Sequence, residues 1–134
     1  RVGTFISSSA YHKHSYYIIV NSDIFGLNDK DNTMAALIAR YHRKSPPKKT
    51  HREYITLDTK DRIIVNKMAA ILRLAIGLAQ HNYDSDSELE YELSETQITI
   101  KFPSPYRSRQ PGHILSGCEK LLEDIFCISV KIEE

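Results

Sequence analysis

The sequence predicts an α+β fold, a mainly α-helical module over residues 1–82 followed by a small ββαβ unit over residues 83–134. Three observations carry that expectation. Apolar residues recur at helical spacing up to the polar stretch "QHNYDSDS", residues 80–87, and at a spacing of two beyond it. The charge changes sign at the same place: residues 1–82 hold 13 Lys and Arg against 6 Asp and Glu, a balance of +7, and residues 83–134 hold 5 against 11, a balance of −6. A length of 134 residues with 41% hydrophobic content is enough to bury a core, which argues against a disordered chain.

The first helix is expected from Tyr11 to about Asn21, ended by the turn chemistry of Asn21, Ser22, Asp23 and Gly26. Asn28 then caps a second helix with Asp31 three residues on, and Met34, Leu37, Ile38 and Tyr41 share one face. Its last turn is basic, with Arg40, Arg43 and Lys44, which suits the negative end of the helix dipole; Pro46 and Pro47 stop it. Lys48 to Thr56 is read as a connector. Asp58 or Thr59 starts a long helix whose buried stripe is expected at Ile64, Met68, Ile71, Leu72, Ala75 and Leu78. Ile63, Leu74 and Ile76 widen the stripe almost all round, so this helix is expected to be central, with neighbours on several sides.

Beyond the polar stretch, "ELEYELS" puts Leu89, Tyr91 and Leu93 on one strand face, and "ETQITIKF" does the same with Ile98, Ile100 and Phe102, with a hairpin between them. After a proline-marked loop, "GHILSGCEKLLEDIF" reads as a helix and "CISVKIE" as a final strand. Cys118 and Cys127 form no C-x-x-C pair and are expected as reduced, packed thiols. The longest apolar run, Met68 to Ala79, is shorter than the ~20 residues that span a bilayer and is interrupted by Arg73. The chain begins at Arg1 without a secretory leader pattern, and the expectation is a piece of a longer cytoplasmic protein with no membrane partner.

The stretch "RYHRKSPPKKTHR", residues 40–52, carries six Lys and Arg and no acid. Arg40, Arg43, Lys44, Lys48, Lys49 and Arg52 are therefore candidate ligands of phosphate oxygens, with His42 and His51 adding conditional charge. A solvated loop that merely offsets the acidic tail explains the same residues. His12 and His14 are the next candidates. Two positions apart on a helix they are rotated by roughly 200°, so a regular helix cannot aim both at one metal. No H-E-x-x-H or paired-cysteine pattern adds ligands. Arg73, inside an apolar helix, needs a carboxylate, a carbonyl cluster or a phosphate. There is no G-x-S-x-G, Walker loop or glycine-rich phosphate cradle, so no catalytic residue is assigned.

"YHKHSYYIIVNSD", "ALIARYHRKSPPK" and "ILRLAIGL", in that order, resemble the C-terminal region of the exopolyphosphatase/guanosine pentaphosphatase (Ppx/GppA) family. The resemblance covers residues 1–82 well and the ββαβ tail in outline. It implies a helical module related to HD-type phosphohydrolases. Hydrolysis of polyphosphate or guanosine pentaphosphate would belong to N-terminal actin-like domains with magnesium, and the C-terminal region would extend the anionic substrate channel and contribute to a homodimer. Matched by position, His12 and His14 are the histidines of the family's H-K-H-S, and His42, Arg43 and Lys44 are its H-R-K. Arg1 stands where the family has an acidic ligand, and Ile76 and Ala79 stand where relatives have acids in the long helix.

The resulting expectation is a non-catalytic, phosphate-handling module of an exopolyphosphatase-like hydrolase, with polyphosphate or a phosphorylated nucleotide as its partner. In it His12, His14, Asp23 and Arg73 are remnants of a degenerate HD-like site, with no metal and no cofactor of the module's own. Two competing readings stand beside it: an HD-type metal phosphohydrolase built on His12, His14 and Asp23, and a purely structural dimerisation module.

Overall fold

In the computed structural model the chain is α+β, and residues 2–43, 45–79, 90–101, 115 and 117–133 are described. A 3-10 turn at Val2–Phe5 precedes α1 (Tyr11–Val20), α2 (Asp29–Tyr41), the short α3 (Arg52–Ile55) and α4 (Thr59–Ala79). Strands β1 (Glu90–Leu93) and β2 (Gln97–Lys101), helix α5 (Lys120–Phe126) and strand β3 (Ser129–Glu133) complete the order. The chain divides into two compact units, residues 1–72 and 73–134, and the division falls within α4.

Local capping sets the helix starts in the first unit. The Asn28 side chain accepts the Asp31 N–H at 2.8 Å at the head of α2, and Asp58 accepts the Asp61 N–H at 2.8 Å at the head of α4. That backbone bond is the main reason the Asp58 carboxyl is held below its ordinary pKa. The core joins Tyr16, Met34, Ala36, Leu37, Tyr41, Tyr54, Val65 and Ala69, with Ile19, Val20, Ile38 and Leu57 at its edge. The connector expected between Lys48 and Thr56 contains a helix, α3, whose Tyr54 is buried and donates to Asn66 Oδ1 at 2.9 Å.

α4 differs from its expected orientation. Ile64, Met68 and Ile71, assigned to the buried stripe, are 39%, 48% and 48% exposed, and Ile63 is exposed as well. The buried positions are Asp61, Val65, Ala69, Ala70 and Leu74. A helix apolar on nearly every side does not choose its own inner face. Here the choice falls on the row that carries small side chains beneath Leu37 and Tyr41, together with Asp61, which meets Lys30 of α2 at 3.1 Å. α2 also ends at Tyr41, so Arg43 lies past its last turn; Lys44 is outside the described residues.

The 3-10 turn is seated on α1 by its glycine. Gly3 is buried, its N–H donates to Ser15 Oγ at 3.1 Å, and a Cβ there would meet the Tyr11 carbonyl and lie 2.6 Å from Ser15 N. These are main-chain atoms that cannot rotate away, so Gly3→Ala is expected to cost about 1–3 kcal/mol, the range for overpacking. Amide exchange at Gly3 and across the first turn of α1 should rise; unchanged exchange would count against this close approach.

In the second unit β1 and β2 pair antiparallel with Tyr91 opposite Ile100, and β2 and β3 pair parallel with Ile98 opposite Val130. The order β1-β2-β3, with α5 before β3, realises the expected ββαβ pattern. Ile100, Leu121, Leu122 and Val130 are buried, whereas Tyr91 and Leu93 are exposed. Leu89 and Phe102 lie outside the described residues. The helix expected from residue 112 is interrupted in its described part: Leu115 is helical, Gly117 takes a left-handed φ of 84°, and α5 begins at Lys120. Both thiols are free; Cys118 is half-buried, where burial raises its pKa, and Cys127 is exposed rather than packed.

Candidate functional site

The first unit brings the two histidine-bearing motifs together. α1 starts at Tyr11 after a left-handed Ala10, without a side-chain cap, and this abrupt start leaves Tyr11 buried. The Tyr11 ring lies 5.6 Å from that of His42, and its hydroxyl lies 3.4 Å from His42 Nε2. His42 Nδ1 donates to the Ala39 carbonyl, which fixes its proton there and leaves Nε2 of the neutral ring to accept from Tyr11. The Arg43 guanidinium sits 5.1 Å from the centre of the Tyr11 ring, a cation–π arrangement with its charge left at the surface. His12 stands edge-on to Tyr11 at 6.3 Å, and His14 is half-buried one turn after Ala10.

A second aromatic–histidine pair lies beside the first. His51, just before α3, stacks on Tyr41 with ring centres 5.4 Å apart and an 18° tilt. Its Nδ1 lies 2.8 Å from the Tyr41 hydroxyl and accepts the Lys48 backbone N–H at 3.3 Å. Burial pushes the Tyr41 phenol up to about 12. Burial also lowers the His51 pKa, and the positive charges of Arg40, Lys48 and Lys13 lower it further.

The cations divide by role. Arg40 is held at 3.4 Å from Glu53 and lies over the Tyr16 and Tyr41 rings at 5.4 and 5.9 Å, so its charge is used within the fold. Arg43, Lys48, Lys49 and Arg52 are exposed, and Lys13 is exposed on α1 within electrostatic reach of His51. Lys13, Tyr11 and Tyr41 are the residues that sequence reasoning missed. The signal for Lys13 was present in H-K-H-S, but only the fold brings that helix against the basic loop.

Asp23 is exposed in the α1–α2 loop, on a polar cleft of about 280 Å³ that also holds Asn28, Asp29 and Asn32. Asn32 fixes this loop by donating to the Ile19 and Ser22 carbonyls, both at 2.9 Å. Arg73 belongs to the second unit, where it is half-buried within electrostatic reach of Cys118 and burial lowers its pKa. Cys118 in turn packs on Gly77, where a Cβ would lie 3.0 Å from the Cys118 Cβ. Among the described residues, no three or more His, Cys, Asp or Glu side chains are grouped to hold a metal ion. His12, His14 and Asp23 are therefore not grouped as a ligand set. No helix among the described residues is long and apolar enough to cross a membrane.

Comparison with known proteins matches the sequence to one family. The sequence model described as "Ppx/GppA phosphatase, domain III" matches residues 1–116. A guanosine-5'-triphosphate,3'-diphosphate pyrophosphatase of Pseudoalteromonas translucida (strain TAC 125) is 24% identical over 100 residues, which is 75% of this chain and 18% of that relative. The chain thus spans less than a fifth of the relative's length in this match.

Proposed function

Because the chain belongs to the Ppx/GppA phosphatase family, matching its domain III, we propose that it is a non-catalytic, phosphate-handling module of an exopolyphosphatase-like hydrolase. Its substrate-side role is to guide a polyphosphate chain or a phosphorylated nucleotide along the surface formed by Lys13, His42, Arg43, Lys48, Lys49 and Arg52. The observation that carries this reading is the seating of α1 against the end of α2 through Tyr11, His42 and Arg43. It makes two motifs distant in sequence into one cationic surface. In this reading the hydrolytic centre and its magnesium belong to N-terminal actin-like domains of a longer cytoplasmic parent chain.

The chemistry suits a polyanion. Arginine and lysine side chains on a solvated face make charge-assisted hydrogen bonds to phosphate oxygens that strengthen one another along a chain of charges. Arg43 is preset by the Tyr11 ring, so less side-chain freedom is lost on binding. Titration of the chain with long-chain polyphosphate should show binding that weakens as salt rises. The triple variant Arg43→Ala, Lys48→Ala, Lys49→Ala should lose affinity at least about tenfold, from three lost charged contacts. Binding that ignores both salt and the triple variant would overturn the proposal.

A homodimer forms part of the same reading. The exposed face of Ile64, Met68 and Ile71 on α4 is the apolar surface that supports it. Sedimentation of the wild type against Met68→Glu tests it; a monomer in the wild type sinks the dimer and leaves the anion site standing.

A further inference from the structure

The hydrogen bonds of His51 define its protonation state. The Lys48 backbone N–H can only donate, so the Nδ1 that it meets at 3.3 Å carries no proton. The Tyr41 hydroxyl at 2.8 Å from the same nitrogen then also donates. The proton of the neutral ring is on Nε2, which makes no hydrogen bond to a described residue. The charges of three cations reach this ring from three elements: Lys13 of α1, Arg40 of α2, and Lys48 of the loop before α3. Glu53 of α3 opposes them but is itself held by Arg40.

We propose that a polyanion bound at this surface takes up a proton at His51, so that the module grips a phosphate chain more tightly as the pH falls. This inference rests on the anion-binding reading above. In the free chain the surrounding cations oppose a charged imidazole, and a bound polyphosphate cancels their field. The arriving proton, taken from solvent, occupies Nδ1. Tyr41 then turns its O–H away and accepts through its oxygen, while the Lys48 N–H is released from Nδ1 and becomes a donor for a phosphate oxygen. Protonation thus supplies a charged donor at Nε2 and a released backbone amide at one place. Linkage requires the reciprocal effect: if the anion raises the proton affinity of His51, the proton raises the affinity for the anion by the same factor. The free chain has the opposite sign. The His51 pKa is lowered by folding, so the unfolded state binds the proton more readily and acidification through the ordinary imidazole range removes stability.

Calorimetric titration of the chain with long-chain polyphosphate, at one pH near 6.5 in buffers of different ionisation enthalpy, measures the proton uptake directly. Long chains keep the titratable end groups few. The expected result is uptake approaching one proton per site, and affinity that rises by up to about tenfold per pH unit lost between the free and bound pKa values of His51. His51→Asn keeps an acceptor for the Lys48 N–H but cannot charge; it should still bind while losing most of the uptake. Binding without proton uptake, or uptake undiminished in His51→Asn, overturns the inference and leaves the anion site intact. Absence of any polyphosphate binding removes the anion-binding reading and this inference with it. Nitrogen-15 spectra of the ligand-free chain give a separate check: an Nδ1–H tautomer, or a ring already charged at pH 7, overturns the inference whatever the ligand does.

Discussion

Tyr41→Ala is expected to destabilise the first unit by about 3–5 kcal/mol, the range for truncating a large buried ring. The side chain is 1% exposed and is among the largest that are fully enclosed. Its ring meets Tyr54 edge-on at 6.0 Å, stacks on His51 and lies under the Arg40 guanidinium. Removing it opens a cavity between α2, α3 and α4 and also takes the platform from the basic loop. Tyr41→Phe keeps the ring and removes the hydroxyl with its hydrogen bond to His51, for which about 0.5–1.5 kcal/mol is expected. Denaturant midpoints of the two variants separate packing from hydrogen bonding. Equal losses would show that the hydroxyl, and not the ring, holds the site together.

What the sequence disclosed follows the range of the forces involved. The heads of α2 and α4 were legible because Asn28 and Asp58 act on N–H groups three residues away. The ββαβ pattern was legible for the same reason, since an alternating run needs no knowledge of its partner. The inner face of α4 was not, because the isoleucines at 63, 64 and 71 are larger and more apolar than the alanines at 69 and 70 that the fold buries. Ranking by hydrophobicity alone favours the wrong row. Asp61 made the true row look polar, and its partner Lys30 is 31 positions away. The 3-10 turn at Val2–Phe5 was hidden because it stands on one close approach, the missing Cβ of Gly3 against the Tyr11 carbonyl, which no pattern of spacing reports.

The candidate site divides in the same way. Arg43, Lys48, Lys49 and Arg52 stood out as a run, and each is exposed where a polyanion can reach it. Arg40 stood in the same run, but the fold engages it with Glu53 and two tyrosine rings. Its charge shapes the field around His51 without being offered to solvent in the same way. Lys13 is the converse case, a residue overlooked between two histidines that lies within electrostatic reach of the loop. A helix whose start is set by Tyr11 presents Lys13 outward and Ser15 inward, and that assignment required the partner surface.

Leu37→Ala is expected to cost about 2–5 kcal/mol, set by the lost apolar transfer and by the cavity left behind. Leu37 has no exposed surface, lies at the middle of α2, and shares the core with Tyr16, Tyr41, Tyr54, Val65 and Ala69. Three of those neighbours are tyrosines with ordered ring contacts, Tyr41 with Tyr54 and His51, and Tyr16 with Tyr17 and Arg40, so they have little room to collapse into the space. The loss is therefore expected in the upper half of the range. Leu37→Met, which conserves volume and can bend, should cost less than about 1.5 kcal/mol. Polyphosphate affinity per folded molecule should be nearly unchanged in Leu37→Met, because Leu37 is fully enclosed in the core. A Leu37→Ala loss below about 1 kcal/mol, at an unchanged denaturant slope, would mean that the tyrosine cluster does collapse and that the rings are less rigidly held than their contacts imply.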